Sequence, residues 1–204
     1  MLKACTLTLG AIAFAGLTAP LQAQTASAQT ASEARPRGEV ALSDDTLQLR
    51  YIDSGSEYTG GRASQISGSF FLSEERDIVL MGDVLFPAQL GYDQLQIQFG
   101  PRIYAALLEE ENDDVMAAAL GMEVRWELDR TSGFAISGQA YYAPDILTFG
   151  TADNLTDLSA RAEIRLQSRL TIFGGMRWFE FESTDAGADQ TLQEELFAGV
   201  GWQF

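Results

Sequence analysis

The 204-residue chain has no histidine, one cysteine (Cys5), one lysine (Lys3) and five prolines. Without histidine it lacks the side chain whose unperturbed pKa suits proton transfer near neutral pH. A Ser-His-Asp or Cys-His device cannot be built, and the usual zinc sites lose their ligands. Carboxylates are plentiful, but no spacing marks an acid–base pair. The expectation is a non-enzyme with no cofactor and no metal site. Long apolar runs are also missing after Leu21. Nothing there approaches the ~20 residues of a membrane-spanning helix, which excludes a helical membrane protein. Basic residues are scarce: 13 Lys and Arg stand against 29 Asp and Glu, a formal net charge of −16. Such an acidic surface repels phosphate backbones, so no nucleic-acid partner is expected.

What is present begins with an export pattern. Met1 and Lys3 precede an apolar run from Ala4 to Leu21, and small residues follow at Ala23. This order predicts a signal peptide over residues 1–23, with Ala28 as a second cleavage position. The alternative is an N-terminal anchor. Cys5 lies at the start of the apolar run rather than at its end, so lipidation there is not expected. A cleaved chain keeps no cysteine and therefore no disulfide. Residues 24–38 repeat Gln-Thr-Ala-Ser and carry no aromatic. They read as a disordered low-complexity leader. Residues 39–204 form the remaining domain.

From Thr46 onward the pattern is period-two alternation broken by turn signals, which predicts an antiparallel all-β fold. Nine segments are placed at about 46–53, 63–73, 77–87, 92–107, 115–128, 133–143, 155–167, 169–182 and 192–204. In the seventh, Leu158, Ala160, Ala162 and Ile164 oppose Asp157, Ser159, Arg161 and Glu163. In the fifth, Leu120, Met122, Val124 and Trp126 oppose Gly121, Glu123, Arg125 and Glu127. A soluble lipocalin-like barrel would turn the apolar faces inward, and a membrane barrel would turn them to lipid. Segment length and aromatic placement favour the membrane barrel. Trp126, Phe134, Trp202 and Phe204 would form one girdle, Tyr142 and Trp178 the other. Short connections near 128–133 and 167–169 would lie at one end, long ones at 144–154 and 183–191 at the other. A bacterial barrel needs an even strand number, so a short strand near Glu39–Leu42 would make ten. The expected fold is a single transmembrane β-barrel of eight to ten strands.

This fold turns Arg50, Asp83, Arg102, Glu123, Arg125, Glu127, Arg161, Glu163, Arg165 and Arg177 toward the lumen. They would form either a salt-bridge network that plugs the barrel or a narrow arginine-lined path for small anions. Leu196, Val200, Trp202 and Phe204 share one face of the last segment. That aromatic-ended strand has the form of a signal for the barrel-assembly machinery. Tyr141, Tyr142, Pro144 and Asp145 are placed as a rim turn, with Pro144 ending the strand and Asp145 capping the loop.

A family resemblance rests on four stretches. They are the signal peptide, Gly138-Gln139-Ala140-Tyr141-Tyr142-Ala143-Pro144-Asp145, Gly174-Gly175-Met176-Arg177-Trp178 and the aromatic C-terminal strand. Together these resemble the YfaZ family of outer-membrane proteins over most of the mature chain. The resemblance implies a porin-like barrel in the outer membrane of a Gram-negative bacterium, and brings no catalytic or binding residues. The leading expectation is a porin-like or structural envelope protein without catalysis. Its partners would be outer-membrane lipids, the assembly machinery and small solutes or ions. A second is a plugged barrel whose acidic outer loops bind a partner, a divalent cation or lipopolysaccharide. A third is a soluble periplasmic binder with an apolar interior.

Overall fold

The alternating segments pair antiparallel with their sequence neighbours, and the pairing returns on itself. The computed structural model describes residues 35–54, 65–74, 77–88, 92–108, 113–129, 131–150, 152–182 and 190–204. The expected signal peptide and most of the leader lie outside these residues. The strands are β1 (Arg37–Leu42), β2 (Thr46–Ser54), β3 (Gln65–Ser73), β4 (Ile78–Ala88), β5 (Leu95–Leu108), β6 (Asp113–Asp129), β7 (Phe134–Ala143), β8 (Thr148–Phe149), β9 (Asn154–Arg165), β10 (Leu170–Glu182) and β11 (Gln190–Gln203). Going round the wall the order is β5-β4-β3-β2-β1-β11-β10-β9-β7-β6, and β5 pairs with β6 to close the ring. The two-residue β8 stands outside this ring and only tops the upper edge of β6. The barrel therefore has ten strands. Its tenth, β1, joins β2 to the final strand and begins at Arg37, inside the stretch assigned to the leader.

Arg37 and Gln203 lie opposite each other and define a terminal end. The connections 55–64, 89–94, 130–133 and 166–169 fall at that end. Those at 43–45, 74–77, 109–112, 144–153 and 183–189 fall at the other, the loop end. Gly133, at a φ of 65°, closes the turn between β6 and β7, where a side chain would be strained. The length alternation expected from sequence holds in the second half of the chain. In the first half it reverses, with a long connection at 55–64 and short ones at 43–45 and 74–77.

Strands β4, β5, β6, β9, β10 and β11 have 11 to 17 residues, and about 9–11 cross a bilayer at a tilt. β1 has only six. It covers β11 from Ala198 to Gln203, and above it the 43–45 turn takes over. There the Asp44 N–H donates to Glu195 at 3.1 Å, and Gln193 Nε2 donates to Thr46 Oγ1 at 3.0 Å.

The outer wall settles which way the faces point. Ile103, Leu120 and Leu196 are 64%, 65% and 75% exposed, and a continuous apolar belt accompanies them on every long strand. No water-soluble surface tolerates so large an apolar patch, and lipid is its natural solvent. The lipocalin-like alternative is thereby corrected. Trp126, Trp202 and Phe204 are exposed near the terminal end, Tyr142 and Trp178 near the loop end. Trp178 Nε1 donates to Glu180 at 3.0 Å, which satisfies its polar tip at the rim. No helix among the described residues is long and apolar enough to cross a membrane.

Candidate functional site: the barrel lumen

The inward side chains form three storeys. At the loop end the lumen is apolar. Phe71, Val79, Tyr104, Leu155, Phe179 and Phe181 meet there, with Ala106, Val115 and Ala143 between them. Phe71, Leu155 and Phe179 are 0% exposed, so no water-sized passage touches them. Phe71 meets Phe179 edge-on at 5.9 Å, and Phe179 packs on Phe181 at 5.4 Å, spacings suited to aromatic pairs.

Below this layer lies a charged belt whose hub is Arg102, 3% exposed. Its guanidinium reaches Asp83 at 3.1 Å, Asp157 at 3.1 Å and Glu123 at 3.3 Å. Its Cζ stands 3.6 Å from the centre of the Tyr141 ring. Arg177 clamps Asp157 through two bonds of 2.9 Å, and Tyr104 Oη donates to the same carboxylate at 2.9 Å. Arg177 also lies below the Phe179 ring at 4.7 Å, which couples the belt to the apolar layer. Arg50 donates to Glu123 at 2.8 Å and Ser67 at 3.1 Å.

The third storey, at the terminal end, is wetter. Glu39 is held by Arg37 and Arg161, each at 2.9 Å. Arg125 bridges Glu127 at 2.7 Å and Glu163 at 2.5 Å. A cavity of about 100 Å³ opens here, lined by side chains from both lower storeys. The ion pairs described in the lumen join six arginines to six carboxylates, so their formal charges cancel. Burying them singly would cost several kcal/mol each. Asp83 Oδ1, Tyr141 Oη and Arg177 Nη1 nevertheless have no hydrogen-bond partner among the described residues.

Nine of the ten residues expected to face the lumen fall in this network. Arg165 does not. It is the last residue of β9 and is exposed at the terminal end beside the Gly133 turn. Alternation gives it the lumen side, but the wall ends before its side chain can be enclosed. The rim-turn set also divides. Tyr142 is on the outer wall, whereas Tyr141 is buried inside beneath Arg102. β7 ends before Pro144, which stands at the N-cap of the short turn Asp145–Leu147, and no side-chain capping bond is made there among the described residues. Thr148 Oγ1 instead donates to the Pro144 carbonyl at 3.1 Å. Leu196, Val200, Trp202 and Phe204 all face outward on or beside β11. Sequence reasoning missed Glu39, Tyr104 and the apolar layer, and it put Asp157 on the polar face of its segment without naming it among the lumen charges. Asp157 carried a usable signal, standing between the apolar residues Leu155 and Leu158 on the polar face of β9. Among the described residues, no cluster of three or more Asp, Glu, His or Cys side chains is placed to hold a metal ion.

An apolar outer belt, a paired charged interior and a closed ring of antiparallel strands define a small outer-membrane-type β-barrel. The family model described as YfaZ precursor matches residues 44–204, and the chain belongs to the YfaZ family. Among solved structures it is similar to one described as "NanC porin structure in rhombohedral crystal form". The identity is 11% and the TM-score 0.46, over 84% of this chain and 99% of that one. A comparison with curated proteins finds no match.

Proposed function

We propose that this chain is a non-catalytic envelope barrel of a Gram-negative outer membrane, exported by its N-terminal signal peptide, with a lumen closed at the loop end. The observation that carries this reading is the apolar layer around Phe71, Leu155 and Phe179, across which the described residues leave no polar path. A non-catalytic role is supported by the chemistry of the interior. Each of the six networked carboxylates is held by at least one arginine, and no histidine is available as a base. The test is single-channel recording of the refolded, heat-modifiable barrel in a planar bilayer. The expected record is silent. Reproducible ohmic steps would replace this reading with an open pore.

The same reading assigns the β11 outer face to assembly and lipid contact. Phe204 is exposed, its N–H donates to the Pro36 carbonyl at 3.0 Å, and its ring lies against Gly38. Phe204→Asp puts a charge where an aromatic meets the interface. Its expected result is a several-fold loss of heat-modifiable protein in the outer-membrane fraction, with unchanged synthesis. Equal membrane levels would remove Phe204 from the assembly signal.

A further inference from the structure

The charges around the terminal-end cavity are not evenly turned. Its wall contains Arg37, Arg50, Arg125, Arg161 and Arg177 but only two carboxylates, Glu39 and Glu123. The other partners of these arginines, Asp157, Glu163, Glu127 and Asp83, stand outside the lining and hold the guanidinium groups from behind. The network is neutral as a whole, yet the surface seen from the cavity is cationic. Arg177 is 2% exposed, lines the cavity, and keeps an Nη1 without a partner among the described residues. A buried guanidinium N–H left open is costly unless an acceptor reaches it. Uncharged donors complete the wall: Gln65, Gln96, Gln98, Gln139, Ser137 and Ser159.

The ends of the barrel differ in the same sense. Arg35, Arg165 and Arg169 are exposed at the terminal end beside Asp93 and Asp129, whereas the loop end exposes Asp44, Asp45, Glu74 and Asp145 and, among the described residues, no arginine. A field of that polarity draws anions toward the cavity from the terminal end and repels them from the loop end.

We propose that this cavity is a binding site for a small oxyanion, a carboxylate or phosphate group, entering from the terminal end. The direction of entry rests on the closed-lumen reading; the binding chemistry does not. The anion accepts hydrogen bonds from the inward guanidinium groups, and the glutamine and serine side chains hold whatever hydroxyl or amide body it carries. The charged belt, with Arg50, Glu123 and Arg177 in the lining, is the floor of the site.

The experiment uses the full refolded barrel in maltoside micelles and follows its arginine Nε–H resonances by two-dimensional NMR. Inorganic phosphate and acetate are titrated separately against sodium chloride at matched ionic strength. The expected result is a saturable shift of the Arg161 and Arg177 signals with either oxyanion and none with chloride. Gln98→Glu adds a negative charge to the wall without removing an ion pair, and weakens saturation at least tenfold. Gln96→Glu serves the same purpose if the first variant loses heat-modifiability. Linear shifts without saturation, or equal affinity in a folded variant, would overturn the site. Ohmic steps in the bilayer with saturable binding retained would overturn only the closed lumen. A silent bilayer with no saturable binding would overturn only the site.

Discussion

Replacing Arg102 with alanine lowers the unfolding free energy of the refolded barrel by about 3–5 kcal/mol, the scale for removing one partner of a buried ion pair. Arg102 touches three carboxylates at once, and two of them, Asp83 and Asp157, are themselves buried. Without it, Asp157 retains Arg177, but Asp83 keeps only the Ser67 hydroxyl at 2.6 Å and, as its one remaining cation among the described residues, Arg50 at 3.7 Å. The Tyr141 ring also loses the guanidinium packed on its face. Urea unfolding in lipid vesicles measures the change. A variant in which Arg102→Met is combined with Asp83→Asn recovers part of it, because the stranded carboxylate is then uncharged. An alanine variant within about 0.5 kcal/mol of the parent, the range of an ordinary surface change, would mean the belt is wet enough to solvate its charges. Arg125→Ala provides the contrast. That side chain is about a quarter exposed, so water and salt screen its pairs and the expected loss is smaller.

The wall of this barrel was legible because lipid outside and polar groups inside impose a strict period of two. β6 and β9 keep that contrast along most of their length, and the side each quoted residue takes was legible there except at Arg165, where the wall ends. The contrast fades where the lumen itself is apolar. β4 reads Ile-Val-Leu-Met-Gly-Asp-Val-Leu-Phe-Pro-Ala, apolar on both faces except at Asp83. Val79, Met81 and Leu85 face inward there, while Leu80 faces out. The same holds for Phe179 and Phe181 on β10. Alternation cannot separate two apolar surroundings, so the segments of β4 and β10 could be placed but the inward apolar layer they build could not be seen. Pairing across the lumen was hidden for another reason. Arg161 meets Glu39 across 122 positions of sequence, and only closure of the ring brings them together. Glu39 itself sat beside a leader expected to be disordered, so its strand was recognised through the even-number rule rather than its own pattern.

That closure is also where the second large effect is expected. β1 and β11 form the seam, with Ala41 opposite Gly199 and Val40 opposite Val200. Gly199 faces inward, and the Phe173 ring from β10 lies over it. A Cβ at this position would fall within contact distance of both the Phe173 ring edge and the Val40 carbonyl oxygen. The ring could turn aside, but the carbonyl belongs to the β1 backbone and cannot move without straining the seam ladder. Gly199→Ala therefore costs about 1–3 kcal/mol as overpacking, and Gly199→Val more. Because β1 has six residues, this strain falls on one of the two shortest ladders of the ring, and the fraction of heat-modifiable barrel falls with it. Two internal comparisons separate crowding from a general intolerance of side chains. Gly201, two residues along the same face, would place a Cβ no nearer than 3.4 Å to any neighbour, the flexible Glu39 side chain. Gly201→Ala is expected to fold with the parent's yield. Phe173→Ala in the Gly199→Ala background relieves the ring contact but not the carbonyl contact, so it restores only part of the loss. Equal unfolding midpoints for Gly199→Ala and Gly201→Ala would show that the seam yields freely, and that its short strand is not a tight closure of the barrel.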